Sequence, residues 1–187
     1  MNENIIIYTE TTGLDPDDEV LELTILKENG DLIMSERFRP VNKLMWPEAE
    51  AVNNISPEDV RNMPMMPEKA KHIENIINNA WGIIGHNTYF HINMLKQSGI
   101  NITNNNVLDI CTLYSRIKHH NYSKPMWAYR TRYALREMID SYRIPPKNFR
   151  YSSLNKAHAV RELYICTANF IRNKLAQIQA KQTQKSV

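Results

Sequence analysis

Acidic residues almost vanish from the last two-fifths of this 187-residue chain. Residues 113–187 carry 3 Asp and Glu against 15 Lys and Arg, whereas residues 1–112 carry 17 against 8. A net charge of +3 hides that asymmetry, and the basic half is a candidate surface for a polyanion. Only two cysteines are present, Cys111 and Cys166. Each lies in an apolar stretch with no Cys/His pair at zinc spacing, which excludes a zinc finger and a disulfide framework and leaves two small core residues. No apolar run approaches the ~20 residues that a membrane span needs, and no signal-peptide pattern follows Met1. A soluble, cytoplasmic protein with no membrane role is expected. No internal repeat or linker breaks the chain, and 42% hydrophobic content suits one domain with a sizeable core. The expected division is a domain over 1–175 and a flexible Gln/Lys-rich tail over 176–187.

The local patterns predict an α/β fold. Ile5-Ile6-Ile7-Tyr8 is a continuous β-branched run that reads as a strand buried on both faces, the central one of a sheet. Val20 to Leu26 and Leu32 to Phe38 flank Glu28-Asn29-Gly30-Asp31, whose Asn-Gly marks a hairpin. Ser56-Pro57 opens a short helix, and Pro67 precedes a longer one through Ile73, Ile76, Ile77 and Trp81. Ile83-Ile84-Gly85 and Val107-Leu108-Asp109-Ile110 are short buried strands, each followed by a helix. Two more helices are expected near Thr131 to Tyr142 and Asn155 to Lys174. A hairpin followed by strands alternating with helices indicates a mixed β-sheet flanked by helices.

Glu10-Thr11-Thr12-Gly13-Leu14 after an apolar strand, and Gly85-His86-Asn87-Thr88-Tyr89-Phe90 between a strand and a helix, resemble the first two motifs of the DnaQ-like (DEDD) 3′-to-5′ exonucleases. Between them, Phe38-Arg39-Pro40, Pro47-Glu48-Ala49 and Ile55-Ser56-Pro57-Glu58 resemble the connecting segment of that family. Val107 to Thr112 resembles the strand that commonly carries its Asp-Thr pair. The resemblance spans about residues 4–172 and implies the ribonuclease H-like fold. It also implies a cleft in which Thr12, Gly13, Leu14, Asn87 and Phe90 meet a 3′-terminal nucleotide. Read as structure alone, the same residues are a turn glycine, core side chains and a loop hydrogen bonder.

The resemblance further implies two divalent metals roughly 4 Å apart, held by four carboxylates from three motifs, and here the sequence departs from the pattern. The first motif, ordinarily Asp-x-Glu, reads Tyr8-Thr9-Glu10. A phenol is neutral at physiological pH and cannot bridge two cations. His91 stands where the second motif has its Asp, and imidazole prefers softer ions than Mg²⁺. For the third motif, His-x-Ala-x-x-Asp, matching Ala159 puts Ala157 at the base and Glu162 at the ligand. Using His158 as the base leaves Glu162 about 100° out of place around the helix. Glu10 and Glu162 are then the catalytic remnants, with His91 as a third candidate metal ligand. About two units of negative charge are missing from a site meant for two dications.

The function expected is a degenerate, catalytically inactive exonuclease-like protein, a pseudoenzyme that binds DNA or RNA or regulates a nucleic-acid process. It would need no cofactor, although Mg²⁺ or Mn²⁺ would serve if it were active. A divergent active 3′-to-5′ exonuclease and a scaffold meeting an acidic protein partner are the alternatives. Lys124, Trp127, Tyr129, Arg130, Arg132, Tyr133 and Arg136 interleave cations with aromatics, a composition suited to phosphate contact and base stacking. From this run Arg130 and Arg132 are taken as nucleic-acid-binding candidates.

Overall fold

The computed structural model describes residues 3–118, 134–144 and 152–185. Five strands form one sheet in the order β3-β2-β1-β4-β5. They are β1 (Ile5–Thr11), β2 (Val20–Lys27), β3 (Leu32–Arg37), β4 (Ile83–Gly85) and β5 (Val107–Asp109). β1 pairs antiparallel with β2 and parallel with β4, so the first strand is central, as its apolar run predicts. The β2–β3 turn differs in detail from a two-residue hairpin. Lys27 N–H bonds to Asp31 O and Gly30 N–H to Lys27 O, and only Gly30 has positive φ, +100°. That is a turn closed by a left-handed glycine, the three-residue hairpin with a bulge.

Seven helices are described: α1 (Pro47–Asn53), α2 (Pro57–Val60), α3 (Met66–Asn78), α4 (Thr88–Gln97), α5 (Ile110–Lys118), α6 (Leu135–Ser141) and α7 (Ser153–Lys185). α2 starts as expected, because Ser56 and Asp59 form a reciprocal capping box. α1 was not expected. It begins at Pro47 without a side-chain cap, and Trp46 just before it packs with Leu21, Ile55 and Val60 in a small cluster.

Alternation along β1 sorts the core into two layers. Ile5 and Ile7 face Leu23, Ile25, Ile73, Ile77, Ile92 and Leu95, which brings α3 and α4 to one side. Ile6 faces Leu26, Ile84, Ile110, Met138, Ala157, Val160 and Leu163, which brings α5, α6 and α7 to the other. Both faces are dry, so β1 shows no alternation of polar and apolar residues over its first three positions.

Two expectations about the C-terminal region change. The helix predicted from Thr131 begins at Leu135 among the described residues, and residues 131–133 lie outside them. α7 opens two residues earlier than expected and continues to Lys185, so 176–185 is helical. At about 1.5 Å per residue its 33 residues span roughly 50 Å. Its last buried residue is Thr167, and from Arg172 onward its described side chains are exposed.

Candidate functional site

The site lies where β1 ends. A residue slips in the β1–β2 pairing just after Glu10, leaving Glu10 opposite Glu22 and Thr11 opposite Val20. Directly opposed residues share a face, so Glu10 and Glu22 stand side by side on the face covered by α7. A bulge beside a site re-aims side chains at a strand end. Both carboxylates are buried, Glu10 at 7% and Glu22 at 5% exposure.

Neither carboxylate is without a cation. Lys156, in the first turns of α7, donates from Nζ to Glu10 Oε1 at 2.6 Å. Glu22 accepts from the Ser153 amide at 2.9 Å and its hydroxyl at 2.6 Å, and from Arg37 Nε at 3.1 Å. Glu22 thereby caps the positive end of α7. Burial raises the Glu10 carboxyl above its usual range and Glu22 adds to the rise, against the lowering by Lys156. Lys156 also lies 5.5 Å from the centre of the Tyr8 ring. Burial, with the Glu10 carboxylate, drives the Tyr8 phenol far above its ordinary value, so it remains a neutral phenol.

His91, buried at 3% exposure, stacks obliquely on Tyr8 with centroids 4.6 Å apart. The Thr9 amide, which can only donate, reaches Nδ1 at 3.2 Å, and the Thr9 hydroxyl lies 2.8 Å from it. Nδ1 is therefore the acceptor, and Nε2 carries the proton toward His86 O at 3.1 Å. Burial, chiefly, pushes its pKa down to about 3. A metal at His91 would have to displace a buried amide from Nδ1 or the proton from Nε2.

Glu162 is far from Glu10. Arg161 donates to Glu28 O at 2.7 Å and Tyr164 to Glu28 Oε1 at 3.0 Å, at the end of β2 that pairs with Ile5 rather than with Glu10. Glu162 itself bonds Arg161 at 2.9 Å and is 42% exposed. Six helical residues from Lys156 amount to a rise of about 9 Å. Glu10, His91 and Glu162 do not converge, since the one group of three potential ligands among the described residues is Asp15, Asp17 and Asp18. The α7 side chain that faces Glu10 is Lys156, in the first turns of the helix. A lysine thus stands where the third motif would need its acidic ligand. Ala157 and Val160 are both fully buried in the α7 layer of the core, so neither offers the site a polar atom.

The Asp15-Asp17-Asp18 cluster is already partly neutralised. Lys43 bonds Asp18 and lies 3.9 Å from Asp17, and Asp18 also accepts from Thr12 Oγ1 at 2.7 Å and the Asp15 amide at 2.8 Å. The Lys43 and Thr12 bonds hold the Asp18 carboxyl below the usual range despite its burial. Asp109 is likewise occupied, accepting the amides of Cys111 and Asn87 at 2.9 and 3.2 Å. The carboxylates present thus do not fit two divalent metals: Glu10 is paired with Lys156 from α7, and the positions of Tyr8 and His91 hold a phenol and a neutral imidazole.

The nucleotide-cleft candidates are split in role. Thr12 is an internal hydrogen bonder, accepting the Glu19 amide at 2.9 Å. Gly13 leaves no room for a side chain, because a Cβ there would lie 2.2 Å from Asp18 Oδ2. Asn87 adopts φ 59° at the start of α4, and Phe90 packs partly buried against the first core layer. Leu14 is 82% exposed on the loop after β1, free to meet a ligand. Arg130 and Arg132 lie outside the described residues.

The exonuclease model RNase_T matches residues 5–148. The chain belongs to this exonuclease family. The matched stretch ends before α7, the helix on which the third motif is missing. A structure of exonuclease X in complex with 5′ overhanging duplex DNA is 17% identical, aligns with 88% of this chain and 92% of its own, and has a TM-score of 0.61. A product-bound exonuclease I is 12% identical over 90% of this chain and 44% of that one, with a TM-score of 0.71. E. coli exonuclease I with a dA16 oligonucleotide is 13% identical over 90% and 41%, with a TM-score of 0.70. The chain thus spans less than half the length of the exonuclease I chains. These likenesses show the fold, the ribonuclease H-like mixed sheet expected from the sequence. No curated protein matches the chain. Among the described residues no helix is long and apolar enough to cross a membrane.

What the sequence reading missed at the site is Lys156, Glu22 and Ser153. Lys156 had a signal, since it lies inside the third-motif region, but a lysine in a basic half draws no notice. Glu22 sits in an apolar strand as its one buried acid, which is the better clue.

Proposed function

We propose that this member of the exonuclease family is a pseudoenzyme that binds nucleic-acid ends and does not hydrolyse them. One observation carries the reading: the carboxylate kept from the first motif, Glu10, is bonded at 2.6 Å to a lysine of the same chain. Two-metal hydrolysis requires a cluster of anions that holds two dications on either side of the reacting phosphate. Here the local charges cancel, and no general base stands in the third motif. The binding parts are in better order. Leu14 is presented on a loop held by Asp18, Asn87 is fixed at the head of α4, and the basic C-terminal half offers phosphate contacts.

The test incubates the protein with 3′-labelled single-stranded DNA and RNA in Mg²⁺ and in Mn²⁺, with salt-dependent binding measured on the same oligonucleotides. Binding without shortening is expected. Metal-dependent degradation that disappears in Glu10→Ala would overturn the proposal in favour of a divergent exonuclease. Absence of binding to either nucleic acid would point to a protein-interaction scaffold.

A further inference from the structure

We infer that the ammonium of Lys156 takes the place of a divalent cation in this site, so that a nucleic-acid phosphate is held there by a tethered charge and without metal. Four observations meet at one point. Lys156 Nζ lies 2.6 Å from Glu10 Oε1, the carboxylate at the position where the family binds its metals. The lysine side chain is 14% exposed and Glu10 8%, so the pair belongs to the floor of the strand end and not to a solvated surface. The neighbouring carboxylate, Glu22, is taken by Arg37 and by the first amide of α7. His91 offers no lone pair outward, because Nδ1 accepts the Thr9 amide and Nε2 donates to His86 O.

The chemistry follows from charge and donor count. An ammonium carries three N–H donors, and Glu10 is the one hydrogen-bond partner of Lys156 among the described residues. Among the described residues two donors remain for phosphate oxygens, which lysine binds as a point charge. A dication entering beside Glu10 would meet that ammonium at close range, with no second unpaired carboxylate to offset the repulsion. Tyr8 completes the exchange: where a second carboxylate would call for a second cation, a neutral ring lies beside the ammonium. The phosphate half of this inference rests on the nucleic-acid reading above, and the metal half stands without it.

The experiment compares wild type, Lys156→Ala, Lys156→Arg, Tyr8→Asp and the double variant Tyr8→Asp/Lys156→Ala. Thermal melting is followed in EDTA and in millimolar Mn²⁺, and oligonucleotide binding in EDTA and in Mg²⁺. Wild type and Tyr8→Asp are expected to melt at the same temperature with and without Mn²⁺. The double variant, which has two carboxylates and no ammonium, is expected to gain a Mn²⁺-dependent rise. Wild-type binding should be equal in EDTA and Mg²⁺, fall about tenfold in Lys156→Ala with the loss of a charge-assisted bond, and recover in Lys156→Arg. A wild type that Mn²⁺ stabilises, a double variant indifferent to it, or binding abolished by EDTA would each overturn the inference. If Lys156→Ala fails to fold, the EDTA comparison on wild type and the Mn²⁺ response of Tyr8→Asp still decide it. Absence of oligonucleotide binding, with the melting results as expected, would refute the nucleic-acid reading and leave the cation substitution supported.

Discussion

Acidification should destabilise this protein through His91. The folded-state pKa of about 3 lies far below the value near 6.5 of an unfolded histidine. The unfolded chain therefore takes up a proton that the folded chain refuses. The contribution to stability is complete above pH 6.5 and is lost progressively as the pH falls toward 3. With 1.36 kcal/mol per pK unit, the loss between pH 7 and 4.5 is roughly 2.5 kcal/mol. That is a large share of the 5–15 kcal/mol typical of a domain. The structural cause is specific: protonating Nδ1 would set a second N–H against the Thr9 amide, in a position with 3% exposure. Urea unfolding of wild type and His91→Gln at pH 7, 5.5 and 4.5 measures the effect. Glu10, whose raised carboxyl titrates with the opposite sign, is common to both proteins and cancels in the comparison. Wild type should lose about 2.5 kcal/mol more than the variant over that range. Parallel curves, or a His91 ring resonance titrating near pH 6.5 in the folded protein, would refute the assignment.

Ser153→Ala removes the hydroxyl that bonds Glu22 at 2.6 Å and Thr24 at 2.6 Å, and should cost about 1–2 kcal/mol in chemical unfolding with the fold kept. Gly13→Ala would drive a methyl into the Asp18 carboxylate, so the Thr12 and Lys43 bonds must yield. A loss above about 1 kcal/mol is expected, and a neutral result would contradict the close approach. Gly30→Ala, at φ +100° with Arg161 Nε 3.1 Å from the new Cβ, should cost about 1 kcal/mol or more by the same assay. Leu14→Ala should leave the melting temperature unchanged, since the side chain is 82% exposed, while weakening oligonucleotide binding.

Much of the fold could be read from local chemistry. β1 announces itself as a β-branched run, the hairpin by Asn29-Gly30, and α2 by Ser56 and Asp59, because each signal and its structural effect lie within a few residues. α1 escaped because it starts on proline without a capping side chain. The site was harder for a different reason. The substitutions Tyr8 and His91 are visible against the family pattern, whereas the partner that gives Glu10 its meaning is 146 positions away. With both polar anchors of the third motif gone, its register stays open in the sequence, and matching Ala159 to the motif's alanine puts the ligand at Glu162, which bonds Arg161 and not Glu10. The bond of Lys156 to Glu10 and the burial of Ala157, Val160 and Leu163 reveal which face of α7 meets the sheet.

The bond between Glu22 and Ser153 joins residues 131 apart, and this sets an order of events during synthesis. The hairpin β2–β3 and its pairing with β1 involve near neighbours and form early. One face of that sheet, with Ile6, Leu26 and Ile84, is closed in part by Ala157, Val160 and Leu163, which leave the ribosome well after all five strands. A growing polypeptide therefore has that apolar face covered only by α5 and α6 until α7 docks, and the clasp at Ser153 marks the step that completes the cover.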